Sequence, residues 1–439
     1  MTYDLILRGG TVVNHDGESV RDIAVQNGRI AAIGALSQAR AAREIDARHL
    51  HILPGVIDSQ VHFREPGLTH KEDLETGSRA AVLGGVTAVF EMPNTKPLTT
   101  SAATLADKVA AAKNRMFCDF TFYVGGTRDN IGDIPTLEKL EGSAGIKVFM
   151  GSSTGDLLVD DESSLDRIIS AVSRRAAFHA EDEARLNARK DLREPGNPAS
   201  HPVWRDPEAA LIATTRLVRL AEKYRRRVHV LHISTGDEMA YLGQHKDWAS
   251  VEATPHHLTL AAPECYERLG TYAQMNPPVR DAVHRARIWA GITDGTVDVL
   301  GSDHAPHTRD EKDHAYPASH SGMTGVQTLL PIMLDHVSKG RLSLARLVDL
   351  TSAGPHRIFG LRGKGRLAVG YDADFAIVDL KRRETITNAQ QASRCGWTPY
   401  DGVTVTGWPV GTVVRGRVAM WQGEIAQAAT GQPVRFWES

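Results

Sequence analysis

Eight short apolar segments, at 52–58, 86–91, 119–124, 145–149, 175–179, 228–232, 250–253 and 297–303, recur through the middle of the chain with helix-forming stretches between them. Strands that alternate with helices and are apolar on both faces belong to a parallel sheet covered on each side. Eight of them favour closure into a (β/α)8 barrel, which sets the first strand beside the eighth. Ser101 to Asn114 and Pro207 to Tyr224 are predicted helices. In the second, Ala210, Leu211, Thr214, Leu217, Val218 and Ala221 recur at helical spacing, while Arg216, Arg219 and Glu222 can face water.

Outside the barrel, residues 4–13, 21–26 and 29–33 read as short strands, with a hairpin signal at Asn27-Gly28. A matching set returns at 365–367, 374–379, 403–406, 411–415 and 417–421. Neither set is long enough alone. Residues 1–52 and 356–439 are therefore expected to form one small β-sandwich domain from both termini, flanking a barrel at 53–355.

The formal charge of −2 gives no overall electrostatic reason for nucleic acid or an anionic membrane as partner, so a small anionic substrate would need a local basic site. The basic runs Arg174-Arg175 and Arg225-Arg226-Arg227 precede the fifth and sixth strands, at the barrel floor, and read as solvated helix termini. Cys118, Cys265 and Cys395 are too few and too scattered for a disulfide framework or a Cys-rich zinc knuckle. The first ten residues alternate rather than forming an apolar export segment, and no apolar run approaches membrane-spanning length, so a cytoplasmic enzyme is expected.

The chemistry-bearing residues fall at strand ends. His62 follows strand one, His179 ends strand five, His232 ends strand six and Asp303 ends strand eight. A lone histidine is more often a packed residue than a ligand, but four donors at four strand ends reverse that preference, because chance would scatter them to both ends of the barrel. Zinc with an open position for water wants such a set. Lys147, near the end of strand four between apolar neighbours, is either a plain lysine paired with Asp303 or a carbamate formed with carbon dioxide and able to bridge two metals. Arg64, two residues beyond His62, can present a fork to a carboxylate. Asn94 and Asn276 stand beside prolines, where capping a turn competes evenly with binding a ligand. His307 lies four residues beyond Asp303, and His304 adjoins it. His256 and His257 read as supports behind the ligands, and His229 as a packing residue.

Together the motifs Gly55-Val-Ile-Asp58 through His62-Phe-Arg64-Glu-Pro-Gly67, Glu91-Met-Pro-Asn94-Thr95, Phe178-His179-Ala-Glu181-Asp182, Thr254-Pro-His256-His257-Leu258, Asn276-Pro-Pro-Val-Arg280 and Ser302-Asp303-His304-Ala-Pro-His307 resemble those of dihydroorotases in the amidohydrolase superfamily. The resemblance runs almost end to end. It implies two zinc ions bridged by carboxylated Lys147, a carboxylate held by Arg64, Asn94 and His307, and Asn276 near the substrate ring. It also implies Asp303 as the proton carrier in reversible hydrolysis of dihydroorotate to N-carbamoyl-L-aspartate, a step of pyrimidine biosynthesis. Related allantoinases and hydantoinases share barrel and metals, but their rings lack the acid group that Arg64 addresses.

One position departs from the family. Gln60 stands where the first histidine of the strand-one motif is usual, and its neutral amide is the weaker donor. Gln60 as a sixth metal ligand, a site with one ion, and a degenerate subunit retained as a partner of aspartate transcarbamoylase all follow as alternatives. A homo-oligomer, dimer or tetramer, is what related enzymes suggest.

Overall fold

The computed structural model describes residues 2–153 and 157–437. The chain opens with five strands, β1 (Thr2–Asn14), β2 (Gly17–Gln26), β3 (Arg29–Gly34), β4 (Arg40–Asp46) and β5 (His51–Pro54). Eight parallel strands follow, namely β6 (Val56–Val61), β7 (Val86–Glu91), β8 (Asp119–Gly125), β9 (Ser143–Phe149), β10 (Ala176–His179), β11 (Val228–Val230), β12 (Ala249–Ala253) and β13 (Val299–Leu300). They pair in sequence order. Just beyond β13, a parallel bridge between Val61 and His304, with the His62 amide donating to the His304 carbonyl at 2.7 Å, joins the eighth segment to the first. Lower down, Asp58 Oδ1 accepts from the Ser302 amide at 2.9 Å and ties the same two segments together.

The expected (β/α)8 barrel is thus the observed one. The last four strands, β14 (Phe375–Thr385), β15 (Thr404–Val414), β16 (Arg417–Trp421) and β17 (Glu424–Ile425), return to the first five and make one nine-stranded mixed sheet. Its seam is β14 antiparallel to β5. Leu7, Ile23, Val25, Ile52, Phe375, Ile377 and Val413 form its buried core.

The predicted helices stand at Ala102–Ala112, capped by the Ser101 hydroxyl, and at Pro207–Tyr224, where Asp206 caps the start and Arg225 in a left-handed conformation ends the last turn. Arg225 is a helix terminus as read from sequence. Arg175 is half-buried rather than free in solvent. Its guanidinium lies under the barrel and donates to the carbonyls of Ile358 and Val228 and to Ser250 Oγ, each at 3.1 Å.

The apolar segment 52–58, read as one strand, is divided between the two sheets. Gly55 is the joint. A Cβ there would meet Thr87 Oγ1 at 2.0 Å and Thr87 Cγ2 at 2.7 Å, a contact the interior of a closed barrel cannot relax. Gly55→Ala is expected to lower stability by about 1–3 kcal/mol through overpacking, read as a shift of the denaturant midpoint with an unchanged slope. An unchanged midpoint would show that Thr87 can rotate away.

The C-terminal segment closes the barrel floor. Pro433 bridges Phe120, and Val434 and Leu361 pack with Phe90, Tyr123 and Ala177 in the barrel interior. The candidate site residues stand at the other end, where the loops after the strands gather.

Candidate active site

Every ligand candidate sits at or just beyond the C-terminal end of a barrel strand, so parallel strand direction alone gathers them. One cavity is lined by Gln60, His62, Arg64, Asn94, His179, His232, Asn276 and Asp303, with Phe149, Ser153, Ala305, Ser321 and Gly322 completing the wall. Two predicted site residues are not in that lining. Lys147 Nζ lies 3.8 Å over the Phe149 ring and donates to the Val148 carbonyl at 2.9 Å. His307 stands behind Arg64, its Nε2 3.3 Å from the Arg64 guanidinium.

Three of these positions hold the backbone in the left-handed region: Arg64 (φ 63°), His232 (φ 37°) and Asp303 (φ 48°). Residues with a Cβ occupy that region at a cost of order 1–3 kcal/mol and keep it where the surroundings impose it, which is a frequent mark of a working site.

The imidazoles come in two arrangements. His179 Nε2 lies 2.9 Å from the Glu181 carboxylate, and its Nδ1 lies 3.1 Å from His232 Nε2. A carboxylate only accepts, so Nε2 carries the proton and Nδ1 presents a lone pair toward His232. His62 Nδ1 lies 2.8 Å from Asn94 Oδ1, which likewise places its proton on Nδ1 and turns the Nε2 lone pair toward Asp303 Oδ1 at 3.3 Å. Burial pushes the pKa of all three histidines below the ordinary value, so they stand neutral at neutral pH.

Two acceptors facing each other at about 3 Å call for a proton or a cation between them. The donors stand as two pairs, His62 with Asp303 and His179 with His232, and neutral imidazoles oriented through their far nitrogens are donors of the kind a divalent ion takes. Lys147 agrees with this. Burial pushes its ammonium well below the usual value, against the opposing pull of Asp303 and Glu252, which favours the neutral amine.

Arg64 is the cationic wall of the cavity. Burial lowers it to about 10, so it stays charged. Its Nε donates to the Pro306 carbonyl at 3.1 Å, while Nη1 is buried without a hydrogen-bond partner among the described residues. Gln60 Nε2 donates to Asp303 Oδ1 at 3.0 Å, and Gln60 Oε1 is buried and unpartnered.

Several supporting residues escaped sequence reasoning. Glu181 pairs with Arg205, and although burial favours its neutral form, Arg205 and His179 outweigh that and hold the carboxyl below the usual range. His201 Nε2 lies 2.9 Å from Asn276 Oδ1, so Asn276 is held by a side chain rather than capping a turn. Lys312, fully buried, donates to the carbonyls of Gln274, His320 and Gly322 and so fastens the wall segments 274–276 and 320–322 to each other. Glu181 stood in a motif already quoted; Arg205, His201 and Lys312 carried no sequence signal.

Of the histidines read as supports, His257 bonds Thr254 and the Pro277 carbonyl, and His256 bonds the Tyr400 hydroxyl. His304 accepts from the Gly325 amide and faces Glu72, away from the cavity. His229 packs against Ser250 and Glu252 in the barrel interior, as expected.

A second group has metal-like spacing. Asp119, Asp372 and Asp374 bring ligand oxygens within 4.8 Å of one another, close enough to hold a cation. Lys364 Nζ is already among them, 2.5 Å from Asp119 and 2.5 Å from Asp374, and Arg415 and Arg435 take outer oxygens. Asp119 starts β8, which puts this group at the floor of the barrel.

The sequence model of the amidohydrolase family matches residues 51–419. The dihydroorotase of Halobacterium salinarum is 37% identical over 420 residues, covering 95% of this chain and 97% of that protein. The L-hydantoinase of Paenarthrobacter aurescens is 34% identical over 446 residues, covering 96% of each. The solved structure of the L-hydantoinase (dihydropyrimidinase) from Arthrobacter aurescens superposes with a TM-score of 0.94 at 32% identity, over 99% of this chain and 100% of that one.

Proposed function

The chain belongs to the amidohydrolase family, in its branch of dihydroorotases and hydantoinases, and from that membership we propose that it hydrolyses a cyclic amide whose ring carries a carboxylate, as dihydroorotase does. The observation that carries the finer reading is Arg64: a buried guanidinium with an unpartnered Nη1 in the wall of the cavity that holds Asp303. An isolated buried cation is costly, and a ligand carboxylate in bidentate contact offsets that cost.

His62, His179, His232 and Asp303 would hold zinc, and Gln60 and a carboxylated Lys147 would be further ligands if a second ion were bound. When bound, the metal supplies Lewis acidity to the amide carbonyl and makes water acidic enough to act as hydroxide near neutral pH.

The protein's own groups do the rest. Arg64, with Asn94 beside it and His307 supporting it from behind, fixes the carboxylate, and Asn276 borders the ring, so the scissile carbonyl is presented in one orientation. Asp303 Oδ1 accepts from Gln60 Nε2 and faces the His62 lone pair. Oδ2 is therefore the oxygen that takes the proton from water as oxygen bonds to the carbonyl carbon. It returns that proton to the ring nitrogen as the C–N bond breaks. In reverse the same groups close N-carbamoyl-L-aspartate to dihydroorotate and release water.

A second reading draws on other observations. The likeness to L-hydantoinases extends over the whole chain, and Gln60, a weak donor turned toward Asp303, favours an altered site: a hydantoinase or allantoinase specificity, or a degenerate subunit associated with aspartate transcarbamoylase. Among the described residues no helix is long and apolar enough to cross a membrane.

Zinc-loaded protein assayed with dihydroorotate, allantoin and dihydrouracil separates the readings. Dihydroorotate is expected to be turned over fastest, and Arg64→Gln to lower its kcat/KM by about 10²-fold or more while changing that for uncharged rings far less. Faster turnover of allantoin or dihydrouracil would transfer the proposal to the hydantoinase reading. No turnover by metal-replete protein that binds a transcarbamoylase would transfer it to the degenerate one.

A further inference from the structure

At the floor of the barrel, opposite the Asp303 site, the structure assigns a second site: we propose that it binds a di- or triphosphate group, free or carried on a nucleotide. The cavity measures about 720 Å³, well within the range of small-molecule sites. Lys139, Arg174, Arg362, Arg415 and Arg435 line it, and Glu141 is the one acid in that lining. Its walls are the turn before β9, Arg174, Arg362, Arg415 and the tail at 432–436, so it is built from parts that take no share in the rim.

Not all of that charge is available. Arg415 is committed to Asp119, and Arg435 to Asp372, within the ion cluster around Lys364. Three cations remain. Arg174 donates to the Ser143 carbonyl at 3.2 Å and lies 4.8 Å over the Phe436 ring, contacts that orient a guanidinium without neutralising it. Among the described residues neither Lys139 nor Arg362 forms an ion pair within 4.0 Å. A neighbouring cavity of about 330 Å³ shares Arg174, adds Arg227, and has no carboxylate in its lining.

Like charges gathered in one concavity raise the local potential and repel one another until an anion enters. Elsewhere the chain balances its charges, with a formal total of −2, so this excess is local. Guanidinium forks match phosphate oxygens in pairs, and three spaced cations suit a chain of two or three phosphates better than a single carboxylate. The site stands independently of the ring-opening reading, since none of its residues borders the rim cavity.

Titration calorimetry on the full chain, first with sodium tripolyphosphate and then with ATP, tests the assignment. Saturable binding of at least one is expected, weakening as salt rises from about 0.05 to 0.3 M because surface charge is screened. Both Lys139 and Arg362 are exposed, so the Lys139→Ala/Arg362→Ala double variant should fold normally, checked by circular dichroism. It should bind about tenfold or more weakly, while Arg64→Gln should bind as the parent does. Equal affinity for the two anions identifies phosphate alone as the ligand chemistry, and much tighter ATP binding adds the nucleoside. No saturable binding of either at millimolar concentration overturns the proposal. So does affinity lost with Arg64→Gln but kept by the double variant, or saturation by an oligonucleotide alone.

Discussion

Asp303→Asn protein is expected to keep its fold and lose about 10³-fold in kcat for ring opening, the middle of the range for removing a general acid–base group. The substitution suits the test because asparagine tolerates the left-handed backbone that position 303 adopts, and its Oδ1 can still accept from Gln60 Nε2. What it removes is the negative charge and the capacity to carry a proton. Metal analysis of the same sample decides between two origins. Full metal occupancy with lost turnover points to proton transfer, and lost metal points to ligation. A loss below about tenfold with metal retained would remove Asp303 from the proposed mechanism.

Lys364→Met is expected to cost about 3–5 kcal/mol of stability, the largest effect foreseen for a residue away from the rim. Its ammonium is buried between Asp119 and Asp374, with Asp372 at 3.7 Å, and removing it leaves carboxylates facing one another out of water. Burial would lower the lysine's pKa, but the aspartates outweigh it and raise the value above the usual one. A raised lysine pKa stabilises the fold fully below the unfolded value of about 10.4, and that contribution is lost only as pH climbs through the higher folded value. Denaturant midpoints of parent and variant should therefore differ across neutral pH and converge in strong alkali. Adding Asp374→Asn to Lys364→Met should recover part of the loss. A variant as stable as the parent would mean that Arg415 and Arg435 suffice to hold the three carboxylates.

The barrel was legible because its strands are buried on both faces and read as short apolar runs, and parallel direction then gathers their far ends. β4 was missed because Arg40–Asp46 buries only Ile45 and shows no alternating apolar pattern. The division at Gly55 was missed for another reason. Residues 52–57 form one apolar run on either side of Gly55, and only the pairing of β5 with β14 and of β6 with β7 shows that the chain changes sheet there.

At the rim, His62, His179, His232 and Asp303 could be found from their places at strand ends. The supporting roles of Glu181 and Lys312 could not. Glu181 acts through a hydrogen bond and Lys312 through three carbonyls brought together only by folding. The same holds for the floor cluster, whose members at 119, 364, 372, 374, 415 and 435 share no motif or period. Side-chain partners across hundreds of residues leave no local trace in a sequence.

Pairing β5 with β14 has a consequence for biosynthesis. Roughly 320 residues separate the two partners, so at ribosomal rates of about 5–20 residues per second the nascent chain waits on the order of 16–64 s before that edge finds its mate. Throughout that interval the leading hairpins present open backbone outside the tunnel exit. They are then the segment on which a holdase chaperone would act and at which a stalled translation product would aggregate.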